Sequence, residues 1–193
     1  MYDFIKGKVV EKNPTFVVLE NNGIGYITHI SLNTFSAIGD QPHIRLYTHL
    51  SIRDDAHLLY GFYEEAERSL FLQLVSVSGV GSNTARLILS ALTTAEAIEA
   101  IATEQVHKLQ SVKGIGVKTA QRIVVDLRDK VSKVVVGTEK MGASYNTVRA
   151  EALSGLLILG FNKASAEKVI DKLLKQQESP TVELLIKEAL KML

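Results

Sequence analysis

The 193-residue chain contains no cysteine, and none of its apolar runs is as long as a membrane span. The lack of cysteine excludes a disulfide framework, a thiolate metal site and a cysteine nucleophile. The opening residues, MYDF, do not form the basic-then-apolar pattern of a secretory signal. We therefore expect a soluble, cytoplasmic protein with no membrane partner.

The chain also lacks a strong charge of either sign, because its formal net charge is only +1. A nucleic-acid-binding protein commonly carries a basic patch or an overall excess of lysine and arginine. Any surface for nucleic acid must here be local, with the acidic groups placed elsewhere.

Sequence signatures of nucleotide binding and of catalysis are missing as well. The segment GIGVKT resembles a phosphate-binding P-loop, but that motif needs glycine where Val117 stands. The five histidines show no metal-protease grouping, and no nucleophile–base pair is evident. Asp54, Asp55 and His57 have no further ligands nearby that would complete a metal site. We expect no metal, no cofactor and no catalytic residue.

What the chain does contain is a duplicated segment of nineteen residues. LVSVSGVGSNTARLILSAL begins at Leu74, and LQSVKGIGVKTAQRIVVDL begins 35 residues later at Leu109. In each copy, a segment with apolar residues leads into a Gly-apolar-Gly turn, and a helical pattern begins after the turn, near Ser82 or Val117. Glycine allows a tight turn and a close approach of the backbone. The unpaired amides of the helix start then favour an anion such as phosphate.

Two such turns on one compact unit predict that the protein binds a nucleic-acid backbone at two points, without readout of the bases. A single Gly-x-Gly at a helix start is commonly just a tight turn, so the prediction depends on the duplication. A helical solenoid is the other interpretation of a repeat of this length, but two copies are too few for a stable one.

The first 63 residues have the pattern of a small β-barrel. The Asn22-Gly23 pair is typical of a tight hairpin turn. Five strands with a helix between the third and the fourth favour an OB-type barrel, although strand count alone leaves another small barrel open. The predicted strands are Tyr2–Lys12, Thr15–Glu20, Ile24–Ile30, His43–Ile52 and Ala56–Tyr63, and the predicted helix is Ser31–Ile38.

Residues 64–131 have a helical period and form an all-helical unit that holds both repeats, with a capping box at Thr93–Glu96. Residues 132–145, which contain Gly137 and Gly142, are predicted to be a flexible linker. Residues 146–193 are predicted to form a three-helix interaction module. Its helices are predicted at Thr147–Leu159, Lys163–Gln176 and Thr181–Met192, with Gly160 as C-cap, Asn162 as N-cap and Ser179-Pro180 as a helix start. Its predicted core is Leu153, Leu156, Leu157, Val169, Ile170, Leu173 and Leu174.

Four segments in this order resemble the RuvA family of bacterial Holliday junction proteins: YDFIKGKVV, THLSIRDDAHLLYGF, the paired SGVGSNTA and KGIGVKTA, and EALSGLLILGFNKASAEKVI. The resemblance covers essentially the whole chain. It implies a multidomain α+β protein with an OB-fold domain at 1–63 and a tandem helix-hairpin-helix domain at 64–131. A mobile, three-helix, UBA-like bundle at 146–193 would follow the linker.

The resemblance also implies a non-catalytic function. A homotetramer, with an octamer as the open alternative, would hold four-way junction DNA open during recombination and repair. The RuvB ATPase would drive the arms, and the RuvC resolvase would be a further partner.

Particular residues take roles from this resemblance and from the repeats. Lys118 and Arg122 are spaced i, i+4 and share one helix face beside the second turn. For Arg86 alone, an ordinary solvated helix face is the simpler interpretation. The predicted DNA-backbone contacts are Gly79, Val80, Gly81, Ser82, Asn83, Arg86, Gly114, Ile115, Gly116, Val117, Lys118 and Arg122.

Asp54 and Asp55 lie between two predicted strands, where paired aspartates are most often a solvated turn. By resemblance they match the acidic pin of the family, which lies near the point where the DNA strands cross. A carboxylate 4 Å from a phosphate charge is repelled by about 1 kcal/mol in water and about 4 kcal/mol at intermediate dielectric. Leu159, Gly160 and Phe161, at the bend between two helices, are the predicted contact for RuvB.

Two other function classes stay open at the level of the sequence. A nuclease or glycosylase would need a carboxylate cluster or a catalytic lysine or aspartate. A non-catalytic binder of single-stranded or branched DNA from another repair complex would need exposed aromatic side chains on the barrel. Phe4, Phe16, Tyr26 and Tyr47 are candidates for that role but are explained equally well as core.

Overall fold

The structure is a computed structural model that describes residues 2–54, 56–138, 144–176 and 180–193. Its contacts divide the chain into two compact units, Met1–Val136 and Gly137–Leu193. Among the described residues, no helix has both the length and the apolar character that a membrane span needs.

The first unit begins with a closed barrel in which the strands follow the order β1-β2-β3-β5-β4. All neighbouring strands are antiparallel except β3 and β5, which are parallel and pair through His29 and Tyr60. This architecture confirms the predicted OB-type barrel. The elements are β1 Phe4–Lys12, β2 Phe16–Asn21, β3 Ile24–His29, α1 Leu32–Ile38, β4 His43–Arg53 and β5 Ala56–Phe62.

Local sequence explains how the barrel strands are joined. Asn22 and Gly23 both have positive φ, 51° and 82°, as the predicted hairpin turn requires. Ser31 caps α1, because its hydroxyl accepts a hydrogen bond from the Thr34 amide at 3.0 Å. Alternate residues then point inward and form the barrel core: Ile5, Val17, Leu19, Ile44 and Leu46.

The helical part of the first unit shares its core with the barrel. The Phe71 ring lies 5.2 Å from the Tyr60 ring and 4.9 Å from the Phe62 ring, measured between centroids. The capping box is confirmed, with Thr93 and Glu96 exchanging hydrogen bonds at the start of α4. The helices are α2 Glu65–Val75, α3 Ser82–Ala91, α4 Thr94–Ala102, α5 Val106–Gln110 and α6 Val117–Thr138.

A buried carboxylate also joins the barrel to the helices. Glu67 of α2 accepts hydrogen bonds from the hydroxyls of Ser31 and Thr34, the latter at 2.6 Å. Thr34 in turn accepts the Tyr63 amide at 3.0 Å. Burial raises the pKa of Glu67, and these two hydroxyl donors oppose the rise. Helical spacing predicts Glu67 among the polar residues at the start of α2, so its burial is a property of the tertiary fold.

The second unit contains α7 Ser144–Ile158, α8 Lys163–Gln176 and α9 Val182–Ala189. Leu156, Ile170 and Leu173 are buried as predicted, but Leu157 is 39% exposed, so its assignment to the core was wrong. The reason is helical geometry: Ala152 and Leu156 lie on the inner face at i, i+4, and Leu157 is rotated away from it. Four further buried residues complete the core: Ala152, Ala166, Leu185 and Ala189.

Several predicted boundaries in this part of the chain also change, since α7 begins at Ser144, inside the predicted linker, and α9 ends at Ala189 and not at Met192. Helix α6 extends to Thr138 because no glycine or proline interrupts it before Gly137, so residues 132–138 of the predicted linker are helical. Residues 139–143 lie outside the described residues. Thr181, whose hydroxyl accepts the Leu184 amide, caps α9 in place of Ser179, which lies outside the described residues. Gly160, with φ of 92°, terminates α7 as predicted. Asn162 caps the start of α8, also as predicted.

Candidate nucleic-acid interface

The two sequence repeats fold into two copies of one turn. Gly79 and Gly114 have nearly identical positive φ values of 90° and 91°, which other residues rarely adopt. In both copies the next amide donates to the carbonyl three residues earlier, from Val80 to Val77 at 3.0 Å and from Ile115 to Val112 at 3.1 Å. The duplication seen in the sequence is therefore a duplication of backbone geometry.

This geometry changes the expected role of the middle residue of each turn. Val80 and Ile115 were predicted to offer amides to a phosphate, but those amides are already used within the turn. Their side chains are buried in the helical core. Val80 and Ile115 thus anchor the turns, and the groups that face outward are the residues after them.

Those outward groups are the second glycines and the first helical turns. The first helical hydrogen bonds run from Ala85 to Gly81 at 2.9 Å and from Ala120 to Gly116 at 3.0 Å. Among the hydrogen bonds of the described residues, none takes the amides of the three residues after each glycine: Ser82, Asn83 and Thr84, and Val117, Lys118 and Thr119. A Cβ added at Gly81 or Gly116 would meet no atom within 4 Å. Each turn therefore presents open backbone amides to an anion.

The structure brings the two turns close to each other. The Arg122 guanidinium, from α6 after the second turn, reaches the Ser78 carbonyl in the first turn at 3.5 Å, the outer limit of a hydrogen bond. Lys118 and Arg122 are exposed, as expected for one open helix face. Sequence reasoning missed Ser78, Thr84 and Thr119. The matching Thr-Ala pair in the two repeats was the available signal for the last two.

Arg86 was predicted to contact a DNA phosphate, but its guanidinium forms hydrogen bonds within the protein. Its Nη1 donates to the carbonyls of Thr15 and Ile30 on the barrel, at 3.3 Å each. Its Nη2 donates to the Asn83 side-chain oxygen at 3.0 Å. The guanidinium also lies near His29, whose pKa is lowered by burial and, to a smaller extent, by the charge of Arg86. Arg86 therefore connects α3 to the barrel.

The acidic turn at Asp54 lies in the same compact unit as the first Gly-x-Gly turn. Asp54 is exposed between β4 and β5, and Asp55 lies outside the described residues. Ser51 of β4 and Ser82 of α3 have their hydroxyl oxygens 3.4 Å apart. Since three residues span at most about 10 Å, Asp54 lies close to the first turn. Within the described part of the chain, no group of three or more histidine or carboxylate side chains is arranged to hold a metal ion.

Among the described residues, the four aromatics considered for stacking do not form an open surface. Phe4 is 47% exposed, but the Arg45 guanidinium lies over its ring at 4.0 Å and over the Tyr47 ring at 4.8 Å. Phe16 and Tyr26 are half-buried. Exposed aromatic faces are what sequence-tolerant binding of single strands uses. The barrel therefore gives little support to single-strand binding.

The predicted partner contact in the second unit is partly exposed. Leu159 is 59% exposed, whereas Phe161 is half-buried and packs against the core of the unit. Gly160, between them, has the positive φ that lets the chain leave α7. Ile158 was not predicted but is 85% exposed. Ile158 and Leu159 therefore place adjacent apolar side chains at the end of α7.

Comparison with known proteins covers nearly the whole chain. Residues 1–61 match the family model described as RuvA N terminal domain, and residues 71–129 match the SAM-like helix-hairpin-helix tandem. Residues 147–193 match the RuvA C-terminal domain.

Curated relatives agree with these matches. The chain is 54% identical over 193 residues to a protein of Christiangramia forsetii and 47% identical over 191 residues to one of Flavobacterium psychrophilum. A Bacteroides fragilis protein is 45% identical over 201 residues. The alignments cover 99–100% of the chain and of each relative, and all three relatives are named Holliday junction branch migration complex subunit RuvA. Full-length identity at this level, with the three domain matches in order, shows that the chain belongs to the RuvA family.

Proposed function

We propose that this chain binds four-way DNA junctions and serves as the DNA-binding subunit of a branch migration complex. The observation that carries the proposal is the pair of turns whose unpaired amides lie in one compact unit together with an acidic turn. The relatives, which are named as subunits of such a complex, support the same assignment. The proposed phosphate contacts are the amides of residues 81–84 and 116–119, with the side chains of Lys118 and Arg122.

Contacts of this kind recognise the DNA backbone and not the bases. Amides and basic side chains that bind phosphate fix the position of the protein but carry no sequence information. Binding should also weaken steeply with salt, because each neutralised phosphate releases counterions. The acidic turn adds selectivity, since the carboxylate of Asp54 repels any phosphate that approaches it.

Four copies of the chain would suit the four arms of the junction. Each copy offers two phosphate-binding turns and one acidic turn, so a homotetramer would place four acidic turns around the strand crossover. Repulsion repeated four times keeps the strands apart there and holds the junction open. Sedimentation of the free protein and of its DNA complex separates a tetramer from an octamer.

Movement of the junction requires a partner that hydrolyses ATP, because the sequence contains no P-loop of its own. We assign that role to a RuvB ATPase, docked on the second unit at the apolar end of α7. Ile158 and Leu159 are exposed there, as an interaction surface requires. RuvC is assigned as the resolvase partner by family resemblance.

A gel-shift comparison tests the central assignment. Four-way, duplex and single-stranded DNA of unrelated sequences are titrated at 50 and 200 mM salt. We expect selective binding of the four-way DNA regardless of sequence, with a steep loss of affinity at the higher salt concentration. Equal affinity for linear duplex, or a preference for the single strand in competition, would refute the proposal.

A further inference from the structure

Helix α3, which begins at the first phosphate-binding turn, is attached to the barrel at both ends. Near its start, Arg86 donates to the barrel carbonyls of Thr15 and Ile30 at 3.3 Å. Near its end, Asn33 of α1 donates to the carbonyls of Leu89 and Leu92 at 2.6 and 2.8 Å. Arg86 therefore holds the start of α3, which carries the first turn, whereas Asn33 holds the far end of the helix.

The bond between Arg86 and Asn83 decides which way the Asn83 carboxamide faces. A guanidinium has only donors, so the atom that it contacts at 3.0 Å must be the Asn83 oxygen, Oδ1. The Nδ2 group, with two N–H donors, then points away from Arg86. Asn83 is exposed, and no acceptor for Nδ2 is found among the described residues.

Asn83 is also the second residue of α3, inside the run of unpaired amides after Gly81. A phosphate at those amides lies next to a side chain whose donors face outward. The corresponding position of the second turn is Lys118, a cation. The two turns thus offer a neutral donor in one copy and a charged donor in the other.

We infer that Asn83 is a phosphate-binding residue through Nδ2, and that Arg86 is a positioning residue that holds Asn83 and the start of α3 in place. The inference rests on the proposed function, since it assigns roles within the same DNA-binding turn. It removes Arg86 from the direct phosphate contacts and gives the first turn a side-chain donor.

Arginine suits this task in a way that lysine does not. The planar guanidinium directs its donors in a fixed fork, so it can bind two barrel carbonyls and the Asn83 oxygen together. A lysine ammonium is a compact point charge on a flexible chain and cannot span all three. Arg86→Lys therefore keeps the charge but loses the positioning, and this separates the two possible roles of Arg86.

The test measures the affinity of the full-length protein for four-way DNA at several salt concentrations. Asn83→Ala should weaken binding about tenfold, the effect of one hydrogen bond to a charged group. Arg86→Met and Arg86→Lys should weaken it by a similar factor, and Asn83→Ala should add little further loss in either background. Neither Arg86 variant should change the slope of log affinity against log salt. Lys118→Met should make that negative slope shallower by about 0.9, because one phosphate contact is lost.

Two variants separate positioning from a general loss of structure. Asn33→Ala removes the attachment at the far end of α3, so it should reduce thermal stability but leave DNA affinity unchanged. Asn83→Asp keeps an acceptor for Arg86 and replaces the donors by a negative charge, so it should bind more weakly than Asn83→Ala. In the free protein, Arg86→Met should raise the pKa of His29 in an NMR titration, because it removes a nearby positive charge.

Three outcomes would overturn the inference. They are wild-type affinity for Arg86→Lys, a salt slope that is shallower by about 0.9 for Arg86→Met, and fully additive losses of affinity for the Asn83 and Arg86 substitutions. Wild-type protein that binds duplex and four-way DNA equally would instead refute the proposed function. The coupling between Asn83 and Arg86 can still be measured on duplex DNA in that case.

Discussion

Replacing Gly81 or Gly116 by alanine should separate DNA binding from folding. Gly81 has φ of −84° and ψ of 169°, which alanine adopts without strain, and Gly116 likewise has no positive φ. An added Cβ meets no protein atom within 4 Å at either position. It would, however, project into the space that a phosphate must occupy to reach the amides.

The expected change in the free energy of unfolding is smaller than the expected change in the free energy of DNA binding. Alanine is a poorer N-cap than glycine by roughly 0.5–1 kcal/mol, and the reduced freedom of the unfolded chain offsets this by about 0.4–1 kcal/mol. The free energy of unfolding should therefore change by less than about 0.5 kcal/mol. Loss of one hydrogen bond between an amide and a phosphate costs about 1.5–3 kcal/mol, so affinity should fall roughly tenfold to hundredfold.

The assay pairs denaturant unfolding with fluorescence anisotropy on labelled four-way DNA. Gly23→Ala is the matched control, because Gly23 has φ of 82° in the hairpin turn between β2 and β3. That variant should lose stability and keep DNA affinity, the opposite of Gly81→Ala. Unchanged junction affinity in both Gly81→Ala and Gly116→Ala would show that phosphate does not bind at these turns.

Three further predictions concern other parts of the molecule. Burial raises the pKa of Glu67 in the folded state above 4.5, the ordinary pKa of a glutamate. The free energy of unfolding should therefore fall as the pH rises from 4.5 through the raised pKa. Thermal unfolding of Glu67→Gln should lack this pH dependence, and an unchanged profile would mean that another group titrates. Changing Asp54 and Asp55 together to asparagine should maintain or raise junction affinity and alter strand separation, as measured with a fluorescent base at the crossover; weaker binding would contradict the repulsive role. Truncation after Gly142 should leave junction binding intact and abolish stimulation of the ATPase, whereas full branch migration by the fragment would remove the second unit from that role.

The parts of this fold that sequence predicts are those that short stretches determine by themselves. Asn22-Gly23 specifies its hairpin, and the Thr93–Glu96 capping box specifies the start of α4. The two Gly-x-Gly turns are also local, since Gly79 and Gly114 adopt nearly the same φ within matching Ser-Val-x-Gly segments. Repetition then identified the turns as a pair.

The parts that sequence reasoning missed depend on partners far along the chain. Glu67 bonds with hydroxyls 33 and 36 residues away, so its burial cannot be read from the period of α2. Arg86 reaches carbonyls 56 and 71 residues away, whereas helical spacing shows only an ordinary polar position. Leu157 fits an apolar helical pattern, yet the inner face of α7 is formed by its neighbours. In each case tertiary contacts outweigh the local signal.

The closure of the barrel has a mechanical consequence. Within the described residues, β3 and β5 pair at His29 and Tyr60, whereas β4 and β5 pair along seven residue pairs. The helices brace this narrow closure from outside, through Phe71 on the Tyr60 ring and Arg86 on the Ile30 carbonyl. The barrel and the helices are therefore joined by both packing and hydrogen bonds at the place where the barrel closes. If DNA is bound as proposed, a load on the first turn would pass from α3 to the barrel strands through these contacts.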